Sequence, residues 1–449
     1  MTQKLEDLTQ ALLTAAQKAG ADSADAIALK GTSVSIDVRK GALEQAERSE
    51  GTDIGLRVLI GKKQANVSAS DTSSETIRVL AERAVAMARE APDDPYLGLA
   101  DKDQLATSWD VEALELADPS AEPSPETLQE DALSAEAAAL AVNGVTQVSA
   151  ASASYGEREV FLAATNGFLG GYKRTDRGTS CVTIAGEGLG MERDYDSDVR
   201  IFQSDLRDPA DIGRTAGERA VELLGARRPT TGQFPVLFDE RISGSLIGHL
   251  LGAVNGAAVA RGSSWLKDAL GEQVLPDFMS VIEEPHRKRV SGSRPFDAEG
   301  LATNRRAIVD QGTLTGWTLD LANARKLGMA STANAARGTS SGPSPSNWNV
   351  SVTQGDKSKQ DLLRDMGTGF LVTSMIGSTI NPTTGDYSRG ASGFWVENGE
   401  IAYPVNECTI AGNLRDMLLT LQPANDAREW MSRVVPSLLV EGLTIAGDA

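Results

Sequence analysis

Histidine is almost absent from this chain of 449 residues, which has only His249 and His286. A catalytic zinc needs three protein ligands and an open position. The two histidines are separated by a helix end, a loop and a strand-like stretch, and nothing further supports a site shared with Asp297 or Glu299. Cysteine is equally scarce, and the pair Cys181 and Cys408 offers neither a disulfide framework nor metal-type spacing. No apolar run approaches the roughly 18 residues needed to cross a bilayer. The opening MTQKLEDLTQALL has no basic stretch followed by an apolar core. These absences lead to the expectation of a reduced, cytoplasmic protein with no membrane contact. Positive charge is also short. The formal net charge is -19, which repels phosphate backbones and argues against direct nucleic-acid binding. The densest basic cluster, Arg287-Lys288-Arg289, reads as a solvated strand end. No phosphate loop is present either, because Gly186–Met191 lacks the third glycine and a following helix.

What is present suggests an α+β protein: an N-terminal α/β region with helices on a mixed sheet, then a β-rich C-terminal domain. Leu5, Leu8, Leu12 and Ala16 recur at helical spacing, with Gly20 as the stop. Strand alternation follows at Val34–Val38 and Ile54–Ile60. Thr72 with Glu75 predicts a capped second helix, its stripe Ile77, Leu80, Ala84 and Met87 or Ala88. Residues 90–131 carry 13 carboxylates against one base, Lys102, and read as a solvated linker or a docking tail for a basic partner. Ser124-Pro125 opens another helix, Asn166-Gly167 marks a hairpin, and Asp208-Pro209 starts a helix running to Leu224. The expected division is 1–100, 101–228 and 229–449. Later strands are expected at Phe234–Phe238, Asn349–Thr353 and Gly369–Ile376, with a hairpin turning on Asn398-Gly399.

The segment Glu240–Ala260 stands out. Its apolar face of Ile242, Leu246, Ile247, Leu250, Val254 and Ala258 predicts a helix, on which Gly244, Gly248, Gly252 and Gly256 fall every fourth residue. Each glycine costs a helix interior about 0.8–1 kcal/mol against alanine, so roughly 3–4 kcal/mol together. The stripe suits tight packing of the helix on its own sheet, or a groove that admits a partner or substrate strand. Arg241, His249 and Asn255 argue against a membrane span here. Elsewhere, Gly338-Thr339-Ser340-Ser341-Gly342 matches a nucleophile-elbow pattern. Pro343 and Pro345 forbid the helix that such an elbow needs, so a mobile polar loop, Arg337–Ser346, is expected at a cavity edge. Glu283 and Glu284 would point to opposite faces of an extended strand. Asp297 and Glu299 would point the same way. Salt-bridge or turn roles at the surface are expected for both pairs.

The C-terminal motifs carry a resemblance. Arg261-Gly262-Ser263-Ser264, Gly271-Glu272-Gln273-Val274, Phe296–Gly300, Glu397–Ile401 and Thr409–Asn413 are similar in order and spacing to signatures of the TldD/PmbA family. The TldD branch of that family carries a His-Glu-x-x-x-His zinc motif on a helix before the first of these. Counted back from Arg261, the motif positions fall on Ile247, Gly248 and Gly252, none of which binds zinc or acts as a base. His249 lies one position past the glutamate position, with no second histidine a turn away. No Gly-Thr-Cys-Gly-Lys segment occurs between Leu421 and Leu443, and Cys408 belongs to the preceding block. The chain therefore resembles the PmbA (TldE) branch.

That resemblance implies a non-catalytic subunit that binds no cofactor itself. Zinc is expected in a TldD-type metalloprotease partner, the substrates are expected to be unfolded peptides or peptide precursors, and self-association is expected where the partner is missing. Two other readings stand beside it: a stand-alone peptide hydrolase with an unrecognised site, and a protein-binding regulator of DNA gyrase.

Overall fold

The computed structural model describes residues 4–447, with Ser378 and Thr379 described by their backbone alone. Helix α1 (Leu5–Ala19) buries Leu5, Leu8, Leu12 and Ala16 and ends at Gly20, whose φ of 99° is left-handed. Three strands follow: β1 (Ser23–Arg39), β2 (Ala42–Ile60) and β3 (Lys63–Ala69). Helix α2 (Ser74–Glu90) is capped by the Ser73 side chain rather than by Thr72. Ser73 has extended backbone and its hydroxyl accepts from Thr76 N, so the cap lies one residue later than expected. After the single turn α3 (Val111–Leu114), the helix–three strands–helix pattern recurs as α4 (Pro125–Leu140), β4 (Val145–Ala164), β5 (Leu169–Ala185), β6 (Glu192–Arg200) and α5 (Pro209–Glu222). Ser124 and Asp208 cap the two helices, each with proline in the first turn.

All six strands form one sheet in the order β3-β2-β1-β4-β5-β6, and every pairing is antiparallel. The sheet is therefore not mixed, because hairpins join its strands within each repeat. The expected division at residue 100 runs through this sheet, since β1 and β4 pair from Asp25↔Ala164 to Val38↔Ala151. Ala24, Ala26 and Ala28 pack under α1 and α2, while Val34, Ile36 and Val38 pack under α4 and α5. These residues of β1 share one parity, so all four helices cover one face. From the opposite face, Ile27 and Leu162 pack with Phe168 and Phe296.

The C-terminal half is β-dominated. Strand β7 (Gly232–Phe238) is followed by α6 (Glu240–Ala253) and α7 (Gly256–Ala260). A mixed five-stranded sheet contains β8 (Val281–Glu283), β9 (Arg306–Asp310), β10 (Thr313–Leu314), β13 (Val350–Val352) and β18 (Arg433–Val434). Strands β11 (Ala335–Ala336) and β12 (Ser344–Pro345) pair with each other. The remaining strands are β14 (Gly369–Ile380), β15 (Asp386–Glu397), β16 (Glu400–Asn413), β17 (Gln422–Pro423) and β19 (Leu438–Ala446). They join β7 in the order β16-β15-β14-β7-β19-β17, and β16 also pairs with β19. That extra pairing closes a five-stranded barrel of β7, β14, β15, β16 and β19. The β15–β16 hairpin turns on Asn398 and Gly399, both at positive φ.

The acidic segment wraps the surface with most of its carboxylates exposed, as a solvated linker does, and it is tied down at several points as a strap between the halves. Arg325 donates to the carbonyls of Tyr96, Gly98 and Leu99, and Ala106 N donates to Gly300 O at 2.8 Å. Trp109 joins the rings of Phe168 and Phe296 at centroid separations of 5.7 and 4.9 Å. Glu115 pairs with Lys288 and Arg289, so the basic cluster that reads as a solvated strand end answers the strap. No helix among the described residues is long and apolar enough to cross a membrane.

Candidate functional site

Strand β7 leaves the barrel at Asp239, whose carboxylate caps α6 by accepting from Arg241 N at 3.1 Å. Burial pushes the Asp239 carboxyl up, but Lys359 and Arg241 outweigh it and hold it below its ordinary value. Leu246, Ile247 and Leu250 then bury one side of α6 in the cluster that includes Val236, Phe238, Phe370 and Val372. The helix stops at Val254, because Val254 O accepts from Thr318 N and Gly256 N donates to Thr318 O at 2.8 Å. Asn255 caps the separate helix α7 and donates to Pro345 O.

The predicted single helix is thus two, and its glycines differ in kind. A Cβ at Gly256 would lie 2.4 Å from Leu319 Cδ2 and 2.8 Å from Thr318 O, so this glycine permits close approach. A Cβ at Gly244 or Gly252 would meet nothing within 4 Å. At Gly248 it would meet only the Arg433 guanidinium, at 3.1 Å. The first three glycines therefore do not pack on their own sheet; they leave an open, side-chain-free face.

Beside that face lies a cavity of about 540 Å³, lined among others by Glu240, Arg241, Gly244, Ser245, Thr373, Arg389, Arg428 and Arg433. Arg241 donates to both oxygens of Asp194 at 3.0 and 3.2 Å. Arg428 Nε donates to Glu240 at 2.6 Å, yet burial still keeps the Glu240 carboxyl above its ordinary value. Arg389 donates to the Gly377 carbonyl at 2.8 Å. Neither Arg389 nor Arg433 has a carboxylate partner among the described residues. Ser245 Oγ, Thr373 Oγ1 and His249 Nε2 are buried without a hydrogen-bond partner. Sequence reasoning singled out His249 but missed the arginines, which arrive from three separate segments with no local pattern to announce them.

A zinc ion does not fit this donor set. Ile247 is fully buried in the core, and Gly248 and Gly252 offer no donor atom. His249 sits edge-on to Tyr387 at 5.9 Å, and burial together with the nearby Arg389 charge depresses its pKa. His286 is exposed, as expected of a surface residue, and hydrogen-bonded to Thr303 Oγ1 at 2.9 Å. Among the described residues no group of three His, Cys, Asp or Glu is placed to hold a metal. Both cysteines are buried, and burial pushes the Cys181 thiol up to about 12 and the Cys408 thiol to about 11.

The loop Arg337–Ser346 is not mobile at its base. Arg337 pairs with Asp25 with its side chain fully enclosed, and a Cβ at Gly55 would lie 2.2 Å from Thr339 O. Gly342 stands beside Asn66, while Gly338, Ser340 and Ser341 are exposed at the tip. The loop is docked on the N-terminal sheet, and none of its residues lines the cavity at α6.

Glu283, Asp297 and Glu299 are buried rather than at the surface, while Glu284 is half-buried. Glu283 pairs with Arg306 and accepts from Asn334, Asn347 and Trp348 N, and Glu284 does point away from it, as an extended strand requires. Asp297 accepts from the backbone N–H groups of Glu299, Leu301 and Ala335, and Glu299 accepts from Leu321 N at 2.9 Å. Burial raises Asp297 to about 6, and burial with the Asp297 charge raises Glu299 to about 8. Asp25 and Arg57, joined at 2.7 Å, complete this junction with Arg337. The space beside Asp25, Arg57 and Glu299 is only about 10 Å³, room for one water and not for a substrate.

Comparison with known proteins agrees with this architecture. Three family models match in order: PmbA/TldA metallopeptidase domain 1 over residues 24–88, the central domain over 118–224 and the C-terminal domain over 231–447. The chain is 39% identical to Metalloprotease PmbA of Escherichia coli O157:H7, over 98% of this chain and 96% of that one. The chain belongs to the PmbA/TldD metallopeptidase family. It is also 36% identical to the Metalloprotease PmbA homolog of Haemophilus influenzae, over 99% and 97% of the two chains. A Bacteroides thetaiotaomicron crystal structure, of a protein described as a candidate modulator of DNA gyrase, superposes with a TM-score of 0.91 at 27% identity, covering 99% of both chains. TldE from Thermococcus kodakarensis shares the fold, with a TM-score of 0.84 at 19% identity over 98% of this chain and 100% of that one.

Proposed function

We propose that this chain is the non-catalytic subunit of a TldD/TldE-type zinc metalloprotease in the cytoplasm. A TldD-type partner holds the zinc, and the pair cuts unfolded peptides or peptide precursors. One observation carries this reading: on α6, where the family's motif would stand, Gly248 and Gly252 present no side chain and Arg433 lies across Gly248. The open face at Gly244 and Gly252 gives a partner or a peptide strand room to approach the helix backbone. The test is to co-express the chain with the TldD-type protein of the same genome. The two are expected to co-purify, and chelator-sensitive cleavage of unfolded peptides is expected from the pair only. Cleavage by the isolated chain would overturn the proposal, as would failure of the two to associate.

A further inference from the structure

The cavity at α6 has lost the donors a metal needs, but it has not become apolar. Four arginines line it, Arg241, Arg389, Arg428 and Arg433, against the single carboxylate of Glu240. Two of the four, Arg241 and Arg428, are answered by Asp194 and Glu240. Arg389 and Arg433 keep their positive charge without a carboxylate partner among the described residues.

Two hydroxyls belong to the same lining. Thr373 is 7% exposed and lines the cavity, and its Oγ1 has no partner. Its place in β14 explains why: Val372 pairs with Gly393 and Ser374 with Ser392, so Thr373 is an extra residue in the ladder. Such a bulge re-aims one side chain out of the regular alternation. Ser245 Oγ, one turn along α6 from Arg241, is a second buried hydroxyl in the same lining without a partner. Both oxygens are enclosed, so the groups that face the open space are the guanidinium groups of the lining. Around this polar floor, Tyr195 and Met431 are 51% and 41% exposed, giving an apolar wall at the cavity.

Guanidinium groups converging on one space suit a planar anion, which accepts from them. We infer that this cavity is a carboxylate pocket, which holds the C-terminal carboxylate or an acidic side chain of an unfolded peptide between Arg389 and Arg433. The choice of a peptide rests on the function proposed above; the choice of a carboxylate rests on the cavity. Gly248 fits this reading, because the absence of a side chain there lets the Arg433 guanidinium lie against the helix.

The test uses the full chain alone, without a protease partner, so that its outcome is separate from pairing and cleavage. Isothermal titration calorimetry would compare three short unfolded peptides of Gly, Ala and Ser: one with a free C-terminus, one amidated, and one amidated with an internal Glu. Binding of the free-carboxylate peptide, or of the Glu peptide, is expected to exceed that of the plain amide by about tenfold or more. Preference for the first over the third identifies the C-terminus as the anion; the reverse identifies a side chain. Arg433→Ala removes an exposed side chain and is expected to abolish the difference. Equal binding of all three peptides by the unmodified chain, or no binding at millimolar concentration, would overturn the inference even where the pair still forms and cuts.

Discussion

Asp25, Arg57 and Arg337 meet at the junction of the two halves with side chains between 0% and 4% exposed. At α6, by contrast, Arg389 and Arg433 stand in an open cavity without carboxylates to answer them. Both places gather charges from distant parts of the chain, and both contain buried polar groups. They differ in room and in completion. At the junction the charges answer one another around a space of about 10 Å³, so their work is to join domains. At α6 the cavity is about 540 Å³, and two of its four arginines, Arg389 and Arg433, have no carboxylate partner among the described residues. Shifted carboxyl pKa values mark the junction more strongly than the cavity. A perturbed pKa therefore locates burial here, whereas cations without a carboxylate partner beside open space locate the candidate site.

The largest effect should come from breaking the junction. Asp25→Ala leaves Arg57 and Arg337 enclosed without their carboxylate and is expected to cost about 3–5 kcal/mol in urea unfolding. A cost below 1 kcal/mol would remove the distinction between the two regions. Next, Gly256→Ala forces a Cβ against Leu319 and Thr318 O and should destabilise the chain by about 1–3 kcal/mol.

Glu299 sharpens the comparison through pH. Its folded pKa lies above its ordinary value of 4.5, at about 8. The folded chain therefore holds a proton that the unfolded chain has released, and the stability it contributes falls as pH rises through that window. Glu299→Gln should flatten this decline and raise stability near pH 8.5 above that of the unsubstituted chain. Thermal midpoints measured across the window check it, and an unchanged slope would show that Glu299 is ionised in the fold. Asp25, held below its ordinary value against the pull of burial, works in the other direction and loses its contribution as pH falls. The smallest effect is expected on the open face. Gly244→Ala and Gly252→Ala meet no neighbour and should each stabilise the isolated chain by about 0.5–1 kcal/mol. Destabilisation at either position would mean that the face is packed.

Much of the fold was legible where local rules decide it. The stripe of α1, the Ser124-Pro125 and Asp208-Pro209 helix starts and the Asn398-Gly399 turn each depend on neighbours within a few residues. What escaped depends on pairing across the chain. Nothing near Glu115 announces that Lys288 and Arg289 lie opposite, so the ties that hold the acidic segment to the C-terminal half do not show in the sequence. Periodicity continues from Gly252 to Gly256, and only the backbone bonds to Thr318 split the helix. The loop at Arg337 reads as mobile because its partner Asp25 lies 312 residues earlier. At the candidate site, the positions on α6 were legible from motif spacing. The cavity was not, because Thr373, Arg389 and Arg433 reach it from strands whose order the sequence does not reveal.

The central claim is that α6 carries no metal chemistry, and the most direct measurement is metal content. The purified chain, saturated with zinc and dialysed, would be analysed for zinc per chain beside a His249→Ala variant. The account predicts far less than one equivalent in both. Near one zinc per chain, lost in the variant, would contradict it.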